Sequence, residues 1–305
     1  MKNQTKALVI AVIGACALFA CKTTKMAAEK KTYPSFFKIG HRGTRGLMPE
    51  NTIPAMEVGL AEGANTVEID VHITKDGKVI VYHDESFNPD YTLMPDGGPI
   101  PVGDRKKYTF YQNNYDVLRS FDIGTKPYPA YPKQKRTKTY APLMGELVDA
   151  VDAYTKANKM APAYFLIEVK SAEKTDGIDQ PAPEEFMKIV MAELDTKKLG
   201  SRLIMQSFDM RPLQVLHRTH PNVALGYLTS DKTTTFEGDI AKLGFNPTFY
   251  NPTYKLVTAD MVKKCHDKGI LITPWTVNTV ADMKAVKALG VDGIITDYPN
   301  FFRAL

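Results

Sequence analysis

The chain has 305 residues, 44% apolar and 24% charged, enough apolar material for one large globular domain. Its formal charge of +5 is modest, and Lys2 and Lys6 contribute to it from a segment expected to be removed, so charge gives no support to nucleic-acid binding. Of three cysteines, two precede residue 22, and with Cys21 acylated Cys265 stands alone in the body, which excludes an internal disulfide.

Residues 1–20 carry Lys2 and Lys6, then a mostly apolar run from Ala7 to Ala20 without an acid. A run this short reads as a secretory signal peptide and not as a permanent membrane span. It ends in Leu18-Phe19-Ala20-Cys21, which resembles the lipobox of bacterial lipoproteins, where cleavage precedes a cysteine that becomes lipidated. Ile13-Gly14-Ala15-Cys16 is a rival match, but Cys21 lies at the end of the run, before the polar Lys22-Thr23-Thr24-Lys25. The predicted organisation is a lipoprotein signal over 1–20, a tether over 21–34 and a single domain over 35–305. The expected setting is a bacterial cell envelope, with the protein held to a membrane through its N-terminal lipid; the plain secreted form with a free thiol is the alternative.

A strand is predicted over 36–40, ending in a loop that exposes the imidazole of His41 and the guanidinium of Arg42. A helix over 52–62 follows, capped by Asn51 or Thr52 with Pro54 in its first turn. The next strand, 66–71, carries Glu68 and Asp70 two residues apart and so on one face, with Val67, Ile69 and Val71 on the other. Two buried like charges side by side need a neutralising cation, which points to a hard divalent metal with oxygen ligands. The bland reading is an exposed strand face with solvated acids. Asp76-Gly77 between alternating apolar residues signals a hairpin returning over 79–83. A two-residue turn there sets Asp70 opposite His83 on one face.

From Glu85 to Tyr140 the periodicity fails, and Pro, Gly, Asn and Tyr dominate around a basic cluster, Lys133-Gln134-Lys135-Arg136-Thr137-Lys138. Its tyrosines and short apolar runs predict an ordered insertion. Leaving the barrel beside His83, it could cap the site and select the alcohol end of a substrate, or be a surface elaboration. Alternation resumes with a helix over 143–158 and a strand over 164–169 that bears Glu168, with Lys170 two residues on. Helices follow over 184–194, 211–219, 238–243, 259–268 (bearing Cys265, read as a small buried apolar residue) and 280–289, alternating with strands over 203–206, 223–228, 248–250, 270–276 and 292–296. That makes nine strands. The hairpin's return arm runs antiparallel and need not be a stave, so eight parallel strands remain, with the reactive residues at their C-terminal ends. The predicted fold is an α/β TIM (β/α)8 barrel with a β-hairpin after strand 2 and an insertion of about 55 residues near the active-site face.

His41-Arg42-Gly43, Pro49-Glu50-Asn51-Thr52, Glu68-Ile69-Asp70 and His83-Asp84, in this order, resemble the glycerophosphodiester phosphodiesterase family. Gln206-Ser207-Phe208, Pro274-Trp275-Thr276-Val277-Asn278 and Gly293-Ile294-Ile295-Thr296-Asp297 match it too, so the resemblance runs from about Phe36 to Leu305 with only the insertion lacking motifs. The resemblance implies that Glu68, Asp70 and Glu168 hold one divalent ion, Mg2+ or Ca2+. Arg42 and Lys170 would add positive charge at the phosphate, and Gln206 and Trp275 would bind substrate, Trp275 with Phe208 as an apolar wall, a core role being the alternative for either ring. His41 and His83 would be the general acid-base pair; His72 has no counterpart and is the weaker candidate. The implied reaction is hydrolysis of a small glycerophosphodiester to glycerol 3-phosphate and an alcohol. A lysophospholipase-D- or sphingomyelinase-D-like phosphodiesterase shares the barrel, and a tethered non-catalytic glycerophosphodiester-binding protein is the other alternative, against which both intact histidines argue.

Overall fold

The structure is a computed structural model that describes residues 33–101 and 103–305; the predicted signal peptide, Cys21 and most of the tether lie outside the described residues. Among the described residues the strands are β1 Phe37–Gly40, β2 Thr66–Ile73, β3 Val79–Val81, β4 Tyr164–Val169, β5 Leu203–Ser207, β6 Ala224–Thr229, β7 Phe249–Pro252, β8 Leu271–Ile272 and β9 Gly293–Thr296. The helices are α1 Ile53–Ala61, α2 Tyr115–Leu118, α3 Met144–Ala157, α4 Pro183–Lys197, α5 Met210–Thr219, α6 Phe236–Leu243, α7 Ala259–Asp267 and α8 Val280–Ala288. Threonine hydroxyls at positions 52, 235, 258 and 279 accept from the first turns of α1, α6, α7 and α8, which fixes where each helix starts.

The parallel strands run in the order β8-β7-β6-β5-β4-β2-β1-β9, and β3 pairs antiparallel with β2 off this path. Backbone bonds from Asp292 N–H to the Ile272 carbonyl (3.0 Å) and from Ile295 N–H to the Pro274 carbonyl (2.9 Å) join the two ends. Eight parallel strands thus form a nearly closed barrel with helices outside, as predicted. The strand expected over 270–276 keeps regular pairing only at Leu271–Ile272, because Pro274 has no N–H to continue the ladder.

Alternation along β2 and β4 sorts the residues. Val67, Ile69, Val71, Phe165, Ile167 and Val169 pack outward against the helices in the main core. Phe37, Ile39, Leu166, Ile204, Phe249 and Ile295 fill the barrel interior. The inward rows change character along the strands: apolar at the N-terminal ends, they become Glu68, Asp70 and Glu168 toward the C-terminal ends.

The hairpin register differs from the expected one. Thr74 N–H donates to the Lys78 carbonyl (2.9 Å), and the Thr74 hydroxyl accepts from Lys78 N–H (3.0 Å) while donating to Asp76 Oδ1 (2.7 Å). Thr74 and Lys78 therefore close a three-residue turn, and Ile73 pairs with Val79. Asp70 stands opposite Tyr82, whose N–H donates to its carbonyl, and not opposite His83. Side-chain bonding by Thr74 outweighs the preference of Asp-Gly for a two-residue turn.

The insertion is ordered around its own core. Phe87, Tyr91, Phe110, Leu118, Phe121 and Ile123 are buried there together with Ile80 and Tyr82 of the hairpin. Phe110 is fully buried, with ring centroids 5.1 Å from Phe87, 5.3 Å from Tyr82 and 5.7 Å from His72. Phe110→Ala is expected to cost about 3–5 kcal/mol in denaturant unfolding; a loss near zero would mean that the insertion does not share the barrel's cooperative unit.

Candidate functional site

β1 delivers His41 and Arg42 onto a turn that only particular residues can make. Arg42 has φ 50 and Gly43 φ 82, two successive left-handed residues. A Cβ on Gly43 would lie 2.6 Å from the Ala55 carbonyl carbon, so glycine is required where α1 packs on the loop. The turn sends Arg42 N–H to Glu68 Oε2 (2.8 Å) and its guanidinium inward, Nη1 to Glu50 Oε1 at 2.7 Å and Nε 3.5 Å from Asp70 Oδ2.

Glu68, Asp70 and Glu168 each offer a carboxylate oxygen, and these oxygens lie within 4.8 Å of one another, all buried. Asn51, itself at φ 57, donates to Asp70 Oδ2 (2.8 Å), and Gln206 donates to Glu68 Oε1 (3.3 Å). Lys170 Nζ lies 2.7 Å from Glu168 Oε1 and 3.5 Å from Asp70 Oδ1. Burial, with Asp70 and Glu168 adding repulsion, raises Glu68 well above the usual carboxyl range. Burial raises Glu168 also, against the pull of Lys170. Burial opposes ionisation of Asp70, but Lys170, His83 and Arg42 outweigh it and hold the group far below its ordinary value.

This arrangement fits a divalent cation. Glu50, Glu68, Asp70, Glu168 and Asp297 are five acids facing three cations, Arg42, Arg45 and Lys170, which leaves two negative charges to be met by protons or by an ion. Asp70 Oδ1 is buried without a hydrogen-bond partner, and the donor set is oxygen only, as Mg2+ and Ca2+ prefer.

The two histidines share one construction. His41 Nδ1 meets Asp297 Oδ1 at 2.6 Å, and His83 Nδ1 meets Asp84 Oδ1 at 2.6 Å, which leaves Nε2 of each for other partners. Burial takes His41 down to about 4, against the opposing pull of Asp297, so the ring is neutral at pH 7. Asp297 also accepts from Arg45, Tyr131 and Asn278, and with His41 these hold it ionised despite its burial. His72, the weaker candidate, is buried with Nε2 3.1 Å from the His83 carbonyl, against the Phe110 ring.

Two cavities meet over the acids. One, of about 190 Å³, is lined by His41, Arg42, Gln206, Trp275 and Leu228; the other, of about 260 Å³, by Lys170, Ser171, Asp179 and Gln180. His83, Glu168 and Phe208 line both. The Phe208 and Trp275 rings meet edge to face at 5.4 Å on the first cavity's wall, and Trp275 Nε1 donates to the Asn251 carbonyl. Gln206, predicted to touch substrate, is 1% exposed and bonded at both ends, to Glu68 and to Asn251 (2.8 Å), so it also orients a carboxylate. Of the described residues of the insertion, only Glu85 lines either cavity. Cys265 is fully buried, and burial takes its thiol up to about 12, in keeping with an inert core role.

The predicted site residues 41, 42, 68, 70, 83, 168, 170, 206 and 275 thus converge on one cleft. Sequence reasoning gave no role to Glu50, Arg45, Asn251, Asp84 or Asp297. Asp84, Glu50 and Asp297 all lay inside recognised motifs, but Asp297 is 256 positions from the imidazole it holds, so spacing alone does not pair them.

A model of the "Glycerophosphoryl diester phosphodiesterase family" matches residues 41–301. A glycerophosphodiester phosphodiesterase of Bacillus subtilis (strain 168) is 27% identical over 99% of this chain and 97% of its own. A crystal structure from Silicibacter pomeroyi DSS-3 is 29% identical, with TM-score 0.78 over 90% of this chain and 94% of that one. A phosphodiesterase of Oleispira antarctica, solved with the product sn-glycerol-3-phosphate, shares the fold at 21% identity and TM-score 0.68, covering 87% of this chain and 94% of its own. With that match running from the first catalytic histidine candidate to the end of the barrel, the chain belongs to the glycerophosphoryl diester phosphodiesterase family.

Proposed function

We propose that the protein hydrolyses glycerophosphodiesters to glycerol 3-phosphate and an alcohol, with one divalent ion held by Glu68, Asp70 and Glu168. The observation that carries this reading is the pair of imidazoles, each pinned through Nδ1 to a carboxylate, flanking a buried acidic triad. A bound ion would supply charge neutralisation at a phosphoryl oxygen. Arg42 and Lys170 add fixed positive charge beside it, Arg42 as a planar fork. His41, neutral with its Nδ1 on Asp297, is suited to accept a proton at Nε2 from the attacking hydroxyl or water. His83, shared by both cavities, is suited to deliver one to the leaving oxygen. The cavity walled by Phe208, Trp275 and Leu228 suits the carbon face of glycerol, and the one lined by Lys170, Ser171, Asp179 and Gln180 the departing alcohol. The Bacillus subtilis relative's name supports the substrate class.

Glu168→Gln should weaken both metal affinity and turnover. His41→Ala and His83→Ala should keep metal and substrate binding while losing about 10²–10⁴-fold in kcat. Wild-type rates in both histidine variants would refute the acid-base assignment, and binding without turnover in metal-loaded wild type would favour a binding protein.

Metal uptake should also release protons. Glu68 and Glu168 titrate above their ordinary values in the metal-free fold, so that fold is favoured by their protonation and loses this advantage as pH rises through the raised values. Affinity for Mg2+ or Ca2+ should therefore rise with pH over the same window. Titration calorimetry in buffers of different ionisation enthalpy checks this: buffer-independent heats would count against a protonated Glu68.

We also propose that Cys21 is the mature, lipidated N-terminus in a bacterial envelope. Tyr33 packs against Phe37, Tyr164 and Phe249 at the strands' N-terminal ends, so the domain begins on the face opposite the cleft. Cys21→Ala should release the protein from the membrane fraction, and unchanged fractionation and mass would sink the idea. Faster turnover of lysophosphatidylcholine than of glycerophosphocholine would instead favour the lysophospholipase-D reading.

A further inference from the structure

We propose that residues 85–140 are a positioning frame for the reaction: the segment supplies, from separate places, the hydrogen-bond donors that fix the carboxylates holding His83, His41 and Arg42. The inference rests on the function proposed above and assigns the insertion a part in it beyond shaping the cleft.

Asp84 shows the construction most fully. Its Oδ1 bonds His83 Nδ1, and its Oδ2 accepts from Arg105 Nη2 (2.9 Å) and Asn88 Nδ2 (3.3 Å), both from the insertion. Asp297 bonds His41 through Oδ1 and accepts from the Tyr131 hydroxyl at Oδ2 (3.2 Å), alongside Asn278 (2.7 Å) and Arg45 (3.2 Å). Glu50 Oε1 accepts from Arg42 (2.7 Å) and from the Tyr91 hydroxyl (3.3 Å). The carboxylates of Asp84 and Asp297 are thus held at both oxygens, and a carboxylate so held keeps its imidazole from swinging out of line.

The donors are themselves held by the insertion's packing. The Tyr128 ring lies 4.7 Å from Tyr91 and 5.3 Å from Tyr131, and Tyr91 stacks on Tyr82, so a row of rings joins the insertion core to Asp297. The Arg45 guanidinium covers Tyr131 at 4.7 Å. Gln134 Nε2 donates to the Arg45 carbonyl (2.6 Å) and Lys135 N–H to the Leu47 carbonyl (2.8 Å), which fastens the segment to the loop carrying His41. Motion of the insertion relative to the barrel would move these donors and loosen the groups that they hold.

A double-mutant cycle tests this. Arg105→Met should lose roughly 10-fold in kcat, with KM, metal affinity and melting temperature unchanged. In a His83→Ala background the same substitution should have no further effect, because the residue it orients is gone. Tyr131→Phe should behave likewise against His41→Ala, with a smaller loss because Asn278 and Arg45 also hold that oxygen. Wild-type kcat in Arg105→Met, or an equal loss in both backgrounds, overturns the proposal for Asp84, and the same outcomes for Tyr131→Phe overturn it for Asp297. A readout independent of turnover is the hydrogen-bonded Nδ1–H resonance of His83 in 15N-labelled protein, which Arg105→Met should broaden or shift; an unchanged resonance also overturns it. Wild type that hydrolyses no glycerophosphodiester would refute the proposed function, and the resonance would then decide the positioning frame alone.

Discussion

Arg42 is the group on which the rest of the site depends. Its guanidinium lies between Glu50 and Asp70 and its backbone N–H meets Glu68, so one residue engages three of the clustered acids. A non-glycine residue at φ 50 is costly by about 1–3 kcal/mol. That cost is offset because no extended conformation would point both the N–H and the side chain at the acids. Burying a guanidinium is unfavourable, yet Glu50, Asp70 and Glu68 together raise Arg42 well above its ordinary value, so it is charged at every accessible pH. Even so, Arg42 and Lys170 leave the acids under-compensated, and burial with the neighbouring carboxylates raises Glu68 well above its ordinary value.

The barrel supplies this site by changing the contents of its interior from one end to the other. At the N-terminal ends Phe37, Leu166 and Phe249 pack against one another and against Tyr33 and Tyr164, a dry plug that exposes no reactive group. Further along β2 and β4 the inward positions are Glu68, Asp70 and Glu168, while the outward positions remain apolar and pack on α1, α3 and α4. Hydrophobic burial on the outer face therefore stabilises strands whose inner face is electrostatically unfavourable. The tight loop after β1 belongs to the same construction: a Cβ on Gly59 of α1 would come 2.5 Å from the Gly43 carbonyl, so helix and turn touch directly and the helix holds the turn in its strained form.

Much of this was legible in the sequence because the information is local. Glu68 and Asp70 stand two apart on a strand, Glu168 and Lys170 stand two apart at a strand end, and His83 is followed at once by Asp84. Strand parity alone puts Glu68 with Asp70, and Glu168 with Lys170, on one face, and the alternation of strands and helices gave the barrel, including the arm that is not a stave. What was not legible depends on distance or on competition. Asp297 reaches His41 from the end of the neighbouring strand β9, and no spacing rule connects positions so far apart in the chain. The hairpin register was misjudged by one residue because the Thr74 hydroxyl bonds both Asp76 and Lys78, a side-chain effect that the Asp-Gly preference does not include. The insertion lacked periodicity because its core is built from 3₁₀ turns, one four-residue helix and aromatic stacking, none of which leaves a repeat.

The position of the insertion follows from the hairpin that precedes it. Ile80 and Tyr82 of the return arm are buried in the insertion core, whereas Val79 and Val81 are buried in the main core, so successive residues of one short strand belong to two cores. His83 and Asp84 come next, at the point where the chain leaves the barrel. The Tyr82 hydroxyl accepts from Asn88 N–H (3.0 Å) and bonds Thr92 (3.2 Å), which ties the residue before His83 into the first turns of the insertion. Packing of the insertion is therefore transmitted to His83 along a continuous stretch of main chain as well as through Arg105 and Asp84. An insertion placed after another strand would cover the barrel equally well, but it would not begin beside His83. At this strand, the order of the insertion and the placement of His83 are one constraint.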